Sequence, residues 1–300
     1  MSASCSSTTS TTPLDEPSRT ALVPSSKVTA SVSPLDGIHT RVIINELVAA
    51  SGNGLITKVD ITKTALSITA QIGGSPTVWT WQNGKIDSSA TQSTQTVSRP
   101  FDPDDFAVEK MPTILSKAAD ISGSHMNQNL QIVEYNQGTV LMTVSTKPES
   151  RTVFFRPDGS AINHIDFASP AAMAEALTDA VAGAKQVGQV SYQPGKAIMV
   201  DTPTTTPGVV MRRTRSADMP AWAVQRKGDA SATFSPTLLH PNVIIHIMNL
   251  TAAKANQKPS DMGWTITEDS KLNAPVLRVG VNGVTRAFNT DGTDVTDEVK

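Results

Sequence analysis

The strongest constraint on this chain is that its two halves repeat at one fixed offset. Phe101-Asp102-Pro103 returns as Phe234-Ser235-Pro236, and Phe155-Arg156-Pro157-Asp158-Gly159 returns as Phe288-Asn289-Thr290-Asp291-Gly292, each matched residue 133 positions from its partner. A duplicated unit of about 130 residues sets the architecture before any residue is given a role. Length alone divides the 300 residues into about two ordinary domains. Duplication also builds two similar surfaces before it builds one catalytic pocket.

Within each half, a helix followed by about three strands is expected to occur twice. The first helix runs from about Ile38 to Ser51 on the stripe Ile43, Leu47 and Ala50, and Gly52 stops it. Strands follow at Ile56–Thr62, Ala65–Ile72 and Thr77–Gln82, with the hairpin signal Asn83-Gly84 behind them. The second helix opens at Pro112 and reaches about Ile121, ahead of strands at Leu130–Tyr135, Thr139–Ser145 and Arg151–Arg156. Ser169 caps the third helix with Pro170 in its first turn, and Met173, Leu177, Val181 and Ala184 form its apolar stripe. Strands at Val190–Gln193, Lys196–Asp201, Gly208–Arg213 and Ala221–Gln225 come next. The fourth helix runs from Pro241 to about Ala253, before strands at Gly263–Thr267, Pro275–Val281 and Thr285–Asn289. Consecutive antiparallel strands behind each helix predict an α+β fold with helices on one face of a sheet. The expected divisions are a Ser/Thr/Pro-rich tether at 1–33 and domains at 34–167 and 168–300.

The N-terminus carries a second signal. Ser2-Ala3-Ser4 leads to Cys5, the sole cysteine, and then to a run of Ser, Thr and Pro. Small residues let a lipoprotein signal peptidase thread the chain, after which the thiol takes a diacylglycerol. The polar segment behind has nothing to bury and would stay an extended spacer. Ser2 stands where such sites usually have Leu, and no basic or apolar signal-peptide region precedes it here. The other reading is an incidental free thiol on a cytosolic tail. With one cysteine, neither an internal disulfide nor a cysteine-based zinc site is expected.

The two Phe-x-Pro starts, the Pro-led helices at Pro112 and Pro241 and the terminal Phe-x-x-Asp-Gly hairpins, together with Cys5 and its tether, resemble exported bacterial lipoproteins of actinobacterial type. The domains are similar to β-lactamase-inhibitor-protein-like and PepSY-like repeats over roughly residues 34–295. The resemblance implies an open sheet face that binds another protein, and attachment to the extracytoplasmic side of the cell membrane, or secretion. It implies no cofactor.

Composition narrows the partners. Net charge is −2, which provides no electrostatic footprint for nucleic acid. Charged residues are 17% and aromatics 4%, a balance that suits small β-rich cores better than a large helical enzyme. Trp79 and Trp81 project to one side of a strand, and Trp222 takes a similar place if Trp79-x-x-Gln82 is matched to Trp222-x-x-Gln225. Under the helices these residues are core; on an open face they form a binding strip. Arg212, Arg213 and Arg215 make the one basic cluster, either a patch for an acidic partner or a charged edge that resists aggregation. Arg213 and Arg215 share a face and Arg212 takes the other.

Other candidates read as structural. His240 and His246 fall on different sides of a helix and cannot clamp a metal. Asp102, Asp104 and Asp105 lack the alternation, Gly turn and distal Glu of a calcium loop. The second copy has Ser235 where the first has Asp102, so turn capping explains both. No Gly-x-Ser-x-Gly, Ser-x-x-Lys or His-Glu-x-x-His motif is present. The expectation is a non-enzymatic, lipid-anchored envelope protein that binds a protein partner through Trp79, Trp81, Trp222, Arg212, Arg213 and Arg215. A carrier of a lipid or other apolar ligand is the alternative, and an enzyme of unknown class comes third.

Overall fold

The protein is α+β, with two seven-stranded antiparallel sheets and four helices. The computed structural model describes residues 27–28, 32–90, 98–148 and 151–300. Cys5 and most of the expected tether lie outside those residues.

The first half contains α1 (Ile38–Ala50), β1 (Leu55–Ile61), β2 (Ala65–Ile72), β3 (Ser75–Gln82), β4 (Lys85–Ala90), α2 (Met111–Ser122), β5 (Asn129–Glu134), β6 (Val140–Ser145) and β7 (Val153–Phe155). The second contains α3 (Pro170–Val181), β8 (Gln189–Gln193), β9 (Ala197–Pro203), β10 (Val209–Ser216), β11 (Trp222–Lys227), α4 (Pro241–Ala255), β12 (Trp264–Asp269), β13 (Ala274–Val281) and β14 (Val284–Asn289). Strand order is β4-β3-β2-β1-β5-β6-β7 in one sheet and β11-β10-β9-β8-β12-β13-β14 in the other. In each half the first strands of two helix-plus-strand units pair at the middle, β1 with β5 and β8 with β12.

Two separate apolar cores follow from this arrangement. Ile43, Ile44 and Leu47 of α1 pack with Leu66, Ile68, Ile132 and Phe155 in the first. Met173, Ala176 and Leu177 of α3 pack with Ile198, Val200, Ile266 and Phe288 in the second. Phe155 and Phe288, matched by the repeat, are core in both. Val28, assigned by sequence to the tether, is buried in the first core. Ile165 and Phe167, assigned to the first domain, belong to the second core. The chain therefore crosses between cores after Ala161 and before Ile165.

Local chemistry places the helices. Asp102 Oδ1 accepts from the Asp104 amide at 3.0 Å, and Ser235 Oγ accepts from the Thr237 amide at 3.3 Å, so both copies cap a short 3-10 turn. Ser169 Oγ caps α3 by accepting from the Ala172 amide at 3.2 Å. Gly37 precedes α1 at φ 89°, and a Cβ there would stand 2.6 Å from the Glu109 carbonyl oxygen. That position admits only glycine.

The first and third units contain four strands each, one more than the expected average. The unpredicted strand is β4, a sheet edge whose Ile86 alone is buried. Its polar run shows no alternation, and pairing with β3 makes it a strand. Among the described residues no helix is long and apolar enough to cross a membrane.

Candidate binding cleft at the domain junction

The tryptophan strand and the arginine strand occupy the same place in the two halves. Trp79 and Trp81 on β3 face Ile68 and Leu66 of β2, while Arg213 and Arg215 on β10 face Val200 and Ile198 of β9. Those aliphatic partners are all buried beneath the first helix of their own half. One backbone site is filled by indoles in one half and by guanidiniums in the other.

This corrects three of the expected surface residues. Trp81 is 1% exposed and belongs to the first core. Arg215 is fully buried, so it is no part of a surface patch. Its Nε donates to Asp179 Oδ2 at 2.9 Å, Nη1 donates to the Met219 oxygen at 2.7 Å and to the Ser216 oxygen, and Nη2 reaches the Asn163 oxygen at 3.2 Å. A buried charge is tolerated when it is paired and each of its nitrogens is hydrogen-bonded in this way. Arg156, from the repeated terminal hairpin of the first half, joins the cluster through Glu175 at 2.6 Å and Asp179 at 3.1 Å. The third correction concerns Trp222. It lies on β11 beside Thr214, so its strand corresponds to β4 and not to the Trp79 strand.

Arg212 projects to the opposite face, as alternation requires, where it grips Asp201 with two bonds of 2.7 Å. Its charge is matched within the sheet. Trp79 is half-buried against the first core, with its Nε1 enclosed and without a hydrogen-bond partner among the described residues.

Trp222 meets residues of the first half at the domain junction, while Arg213, paired with Ala223, projects to the opposite face of the sheet from Trp222 and Val224. The Ala223 amide on the outer edge of β11 donates to the Asn136 carbonyl at 3.1 Å, docking the β5–β6 turn against that edge. Contact there is tight: a Cβ on Gly138 would lie 2.4 Å from the Ala221 oxygen. Beside this contact opens a cleft of about 690 Å³ lined by Arg99, Glu134, Gln137, Trp222 and Val224. Trp222 is half-exposed and Val224 is 41% exposed. Glu134 Oε2 accepts from the Arg99 amide at 2.9 Å. Arg213 is half-buried, and its Nη1 is enclosed with no hydrogen-bond partner among the described residues. Burial pushes the Arg213 guanidinium below its usual range, and the Arg99 charge adds to that push while Glu134 opposes it.

A second junction cleft of about 590 Å³ is lined by Arg151, Phe154, Asp218 and Met219. There His164 Nδ1 lies 2.9 Å from Asp218 Oδ1, which holds the Asp218 carboxyl below its ordinary value. The acidic group near Asp102 is also engaged, because Arg41 bonds Asp104 at 2.8 Å and Glu109 at 2.6 Å. His246 is exposed on α4. Among the described residues no group of three or more His, Cys, Asp or Glu side chains is placed to hold a metal.

Of the residues lining this cleft, sequence reasoning singled out Trp222 but missed Arg99 and Glu134. The nearest sequence signal is Asn136-Gln137-Gly138, a turn whose glycine is needed for close approach to another segment.

No known family and no curated protein matches this chain. Among solved structures, the chain of "H.pylori Beta clamp in complex with 5-chloroisatin" is 10% identical with a TM-score of 0.15, matching 83% of this chain. The match spans 60% of that chain. A likeness at that TM-score supports neither a shared fold nor a shared ligand.

Proposed function

We propose that this protein is a non-enzymatic protein-binding module of the cell envelope, attached to the membrane through an acylated Cys5, and that its partner docks at the domain-junction cleft. The observation that carries the reading is the half-exposed Trp222 beside exposed Val224 at the rim of that cleft. Tryptophan is enriched among residues that dominate binding energy, because its large ring is desolvated on contact. Small residues before Cys5 and the polar segment after it support the address. With Lys27 and Val28 fastened to the first half, a spacer of about 21 residues would reach on the order of 25 Å as a coil.

The test has two parts. Mass spectrometry of the native protein should find diacylglycerol on Cys5; an unmodified cysteine in a cytosolic fraction would refute the anchor. Capture from envelope extracts by the tethered protein should weaken about tenfold or more in Trp222→Ala, and equal capture by both forms would remove the cleft from the reading.

A second reading is supported by an apolar groove. Leu177, Val181, Leu239 and Pro241 line about 320 Å³ between α3 and the start of α4. This suits a small apolar ligand, although the groove lies between helices and not between helices and sheet. Uptake of a fluorescent fatty acid, lost in Leu177→Gln, would favour a carrier.

A further inference from the structure

The duplication fills one seat in the first half and leaves it open in the second. On α1, Arg41 lies over the short 3-10 turn. Its Nη1 donates to the Pro103 carbonyl at 2.9 Å and to Asp104 at 2.8 Å, its Nε donates to Glu109 at 2.6 Å, and its Nη2 donates to the Phe106 carbonyl. The Val108 amide also donates to the Phe106 carbonyl, at 2.8 Å. At the repeat offset of 133, Arg41 becomes Ala174, Asp104 becomes Thr237, Glu109 becomes Asn242 and Val108 becomes Pro241. Burial along the helices keeps the same offset: Thr40, Ile43, Ile44 and Leu47 return as Met173, Ala176, Leu177 and Ala180, all buried.

Both donors to the end of the turn are thereby lost. Ala174 has no guanidinium and Pro241 has no N–H. The Leu239 carbonyl, counterpart of that of Phe106, accepts from no described residue, although Leu239 is only 9% exposed. Pro103 is buried beneath Arg41, whereas Pro236 is half-buried. The groove of about 320 Å³ opens at this place, with Ala174, Leu177, Val181, Pro236, Thr237 and Leu239 in its walls. An enclosed acceptor without a donor is costly, and an N–H from a ligand would remove that cost.

Charge selects the occupant. Around Arg41, the carboxylates of Asp104 and Glu109 match a cation. Neither carboxylate has a charged counterpart in the second half, and no residue lining the groove is charged. A cation there would lose water without gaining a counter-charge, and an anion would face carbonyl oxygens. A neutral group with paired N–H donors keeps the fork of a guanidinium without its charge.

Building on the carrier reading of this groove, we infer that it seats a neutral ligand tipped with a ureido or carboxamide group, whose N–H donors meet the Pro236 and Leu239 carbonyls while an alkyl body lies along Leu177 and Val181. The seat is separate from the junction cleft and leaves the partner reading untouched.

The test uses the full chain labelled for NMR and three probes with similar alkyl bodies: hexylurea, hexylguanidinium and hexanoate. Saturable movement of the Ala174, Thr237 and Leu239 amides is expected with hexylurea, about tenfold weaker with hexylguanidinium and weakest with hexanoate. Ala174→Met lays a side chain where the Arg41 stem runs in the first half, and it should abolish hexylurea binding without lowering the melting temperature. Pro241→Val returns the amide that Val108 supplies, should weaken hexylurea severalfold, and keeps the test alive if the first variant fails to fold. Unchanged affinity in either folded variant would overturn the seat. Hexanoate bound as tightly as hexylurea would overturn the donor inference and leave the carrier reading standing. Hexylguanidinium bound more tightly than hexylurea would overturn the neutral ligand in favour of a cation. Silence from all three probes would overturn the seat and the carrier reading together.

Discussion

One position in this fold is solved twice with opposite chemistry. Beneath α1 the second-layer strand presents Trp79 and Trp81, and beneath α3 its counterpart presents Arg213 and Arg215. The helices above differ to match. Asp179 on α3 accepts from Arg215 and Arg156, while Glu46, 133 positions earlier on α1, accepts from the Lys27 amide at 3.1 Å. Each acid therefore fastens the segment that enters its half: the N-terminal strand of chain in one case, the first half's terminal hairpin in the other. The difference shows that duplication kept the acid and the sheet register, and changed what lies under the helix. The buried arginine of the second half is held by Asp179 and by the Ser216, Met219 and Asn163 carbonyls, the last of these supplied by the segment that leads in from the first half.

The comparison breaks most sharply on its hydrocarbon side. Trp81→Ala should cost about 4 kcal/mol, since it empties a fully enclosed site, and urea unfolding followed by the indole of Trp264 in the second core should change far less. On the ionic side, Asp179→Ala should cost about 3 kcal/mol by leaving Arg215 buried without its counter-charge. The pair Asp179→Leu with Arg215→Met should regain most of that loss. A cost under about 0.5 kcal/mol for Asp179→Ala would mean that the backbone carbonyls alone hold Arg215.

Gly138→Ala tests the seam between halves. Its Cβ would meet backbone at 2.4 Å, and overpacking of this kind costs about 2 kcal/mol. The expected signature is separation of one unfolding transition into two.

Acid gives the smallest effect and also distinguishes the halves. Hydrogen bonds from Thr296, the Thr293 amide and His164 hold Asp294, Asp291 and Asp218 below 3.8. For Asp269 burial acts upward, but the Leu272 and Lys271 amides and Arg278 outweigh it. In the first half Glu109 is lowered by Arg41 and Asp158 by Ser160. A lowered carboxyl pKa adds stability above the unfolded value, and that stability is lost as pH falls through the folded value. With more such groups, the second half should lose its amide protection first as pH is lowered from about 5 to about 2. Earlier loss in the first half would contradict this.

Much of the fold was legible because local rules governed it. The caps at Asp102, Ser169 and Ser235 and the stripe on α1 depend on residues within a turn or two, and β2 matches its expected bounds. The strand β4 was invisible because its pairing with β3, not its own polar run, defines it. Trp222 was misaligned because motif matching assumed that Gln225 and Gln82 correspond, whereas register pairs Trp222 with Thr214. Alternation placed Arg215 on the correct side with Arg213, but its burial depends on Asp179, 36 residues away. The cleft draws on segments around Arg99, Glu134 and Trp222, and no spacing in one dimension announces that meeting.

The seating of Val28 in the first core has a mechanical consequence. Were the proposed anchor and partner both in place, tension would enter the fold at Val28 and Lys27 and leave near Asn136 and Trp222. The line of force then runs through the first half, whose tryptophan-filled interior bears the load. Most of the second half, with the ionic network of Asp179, Arg215 and Arg156, would lie off that line.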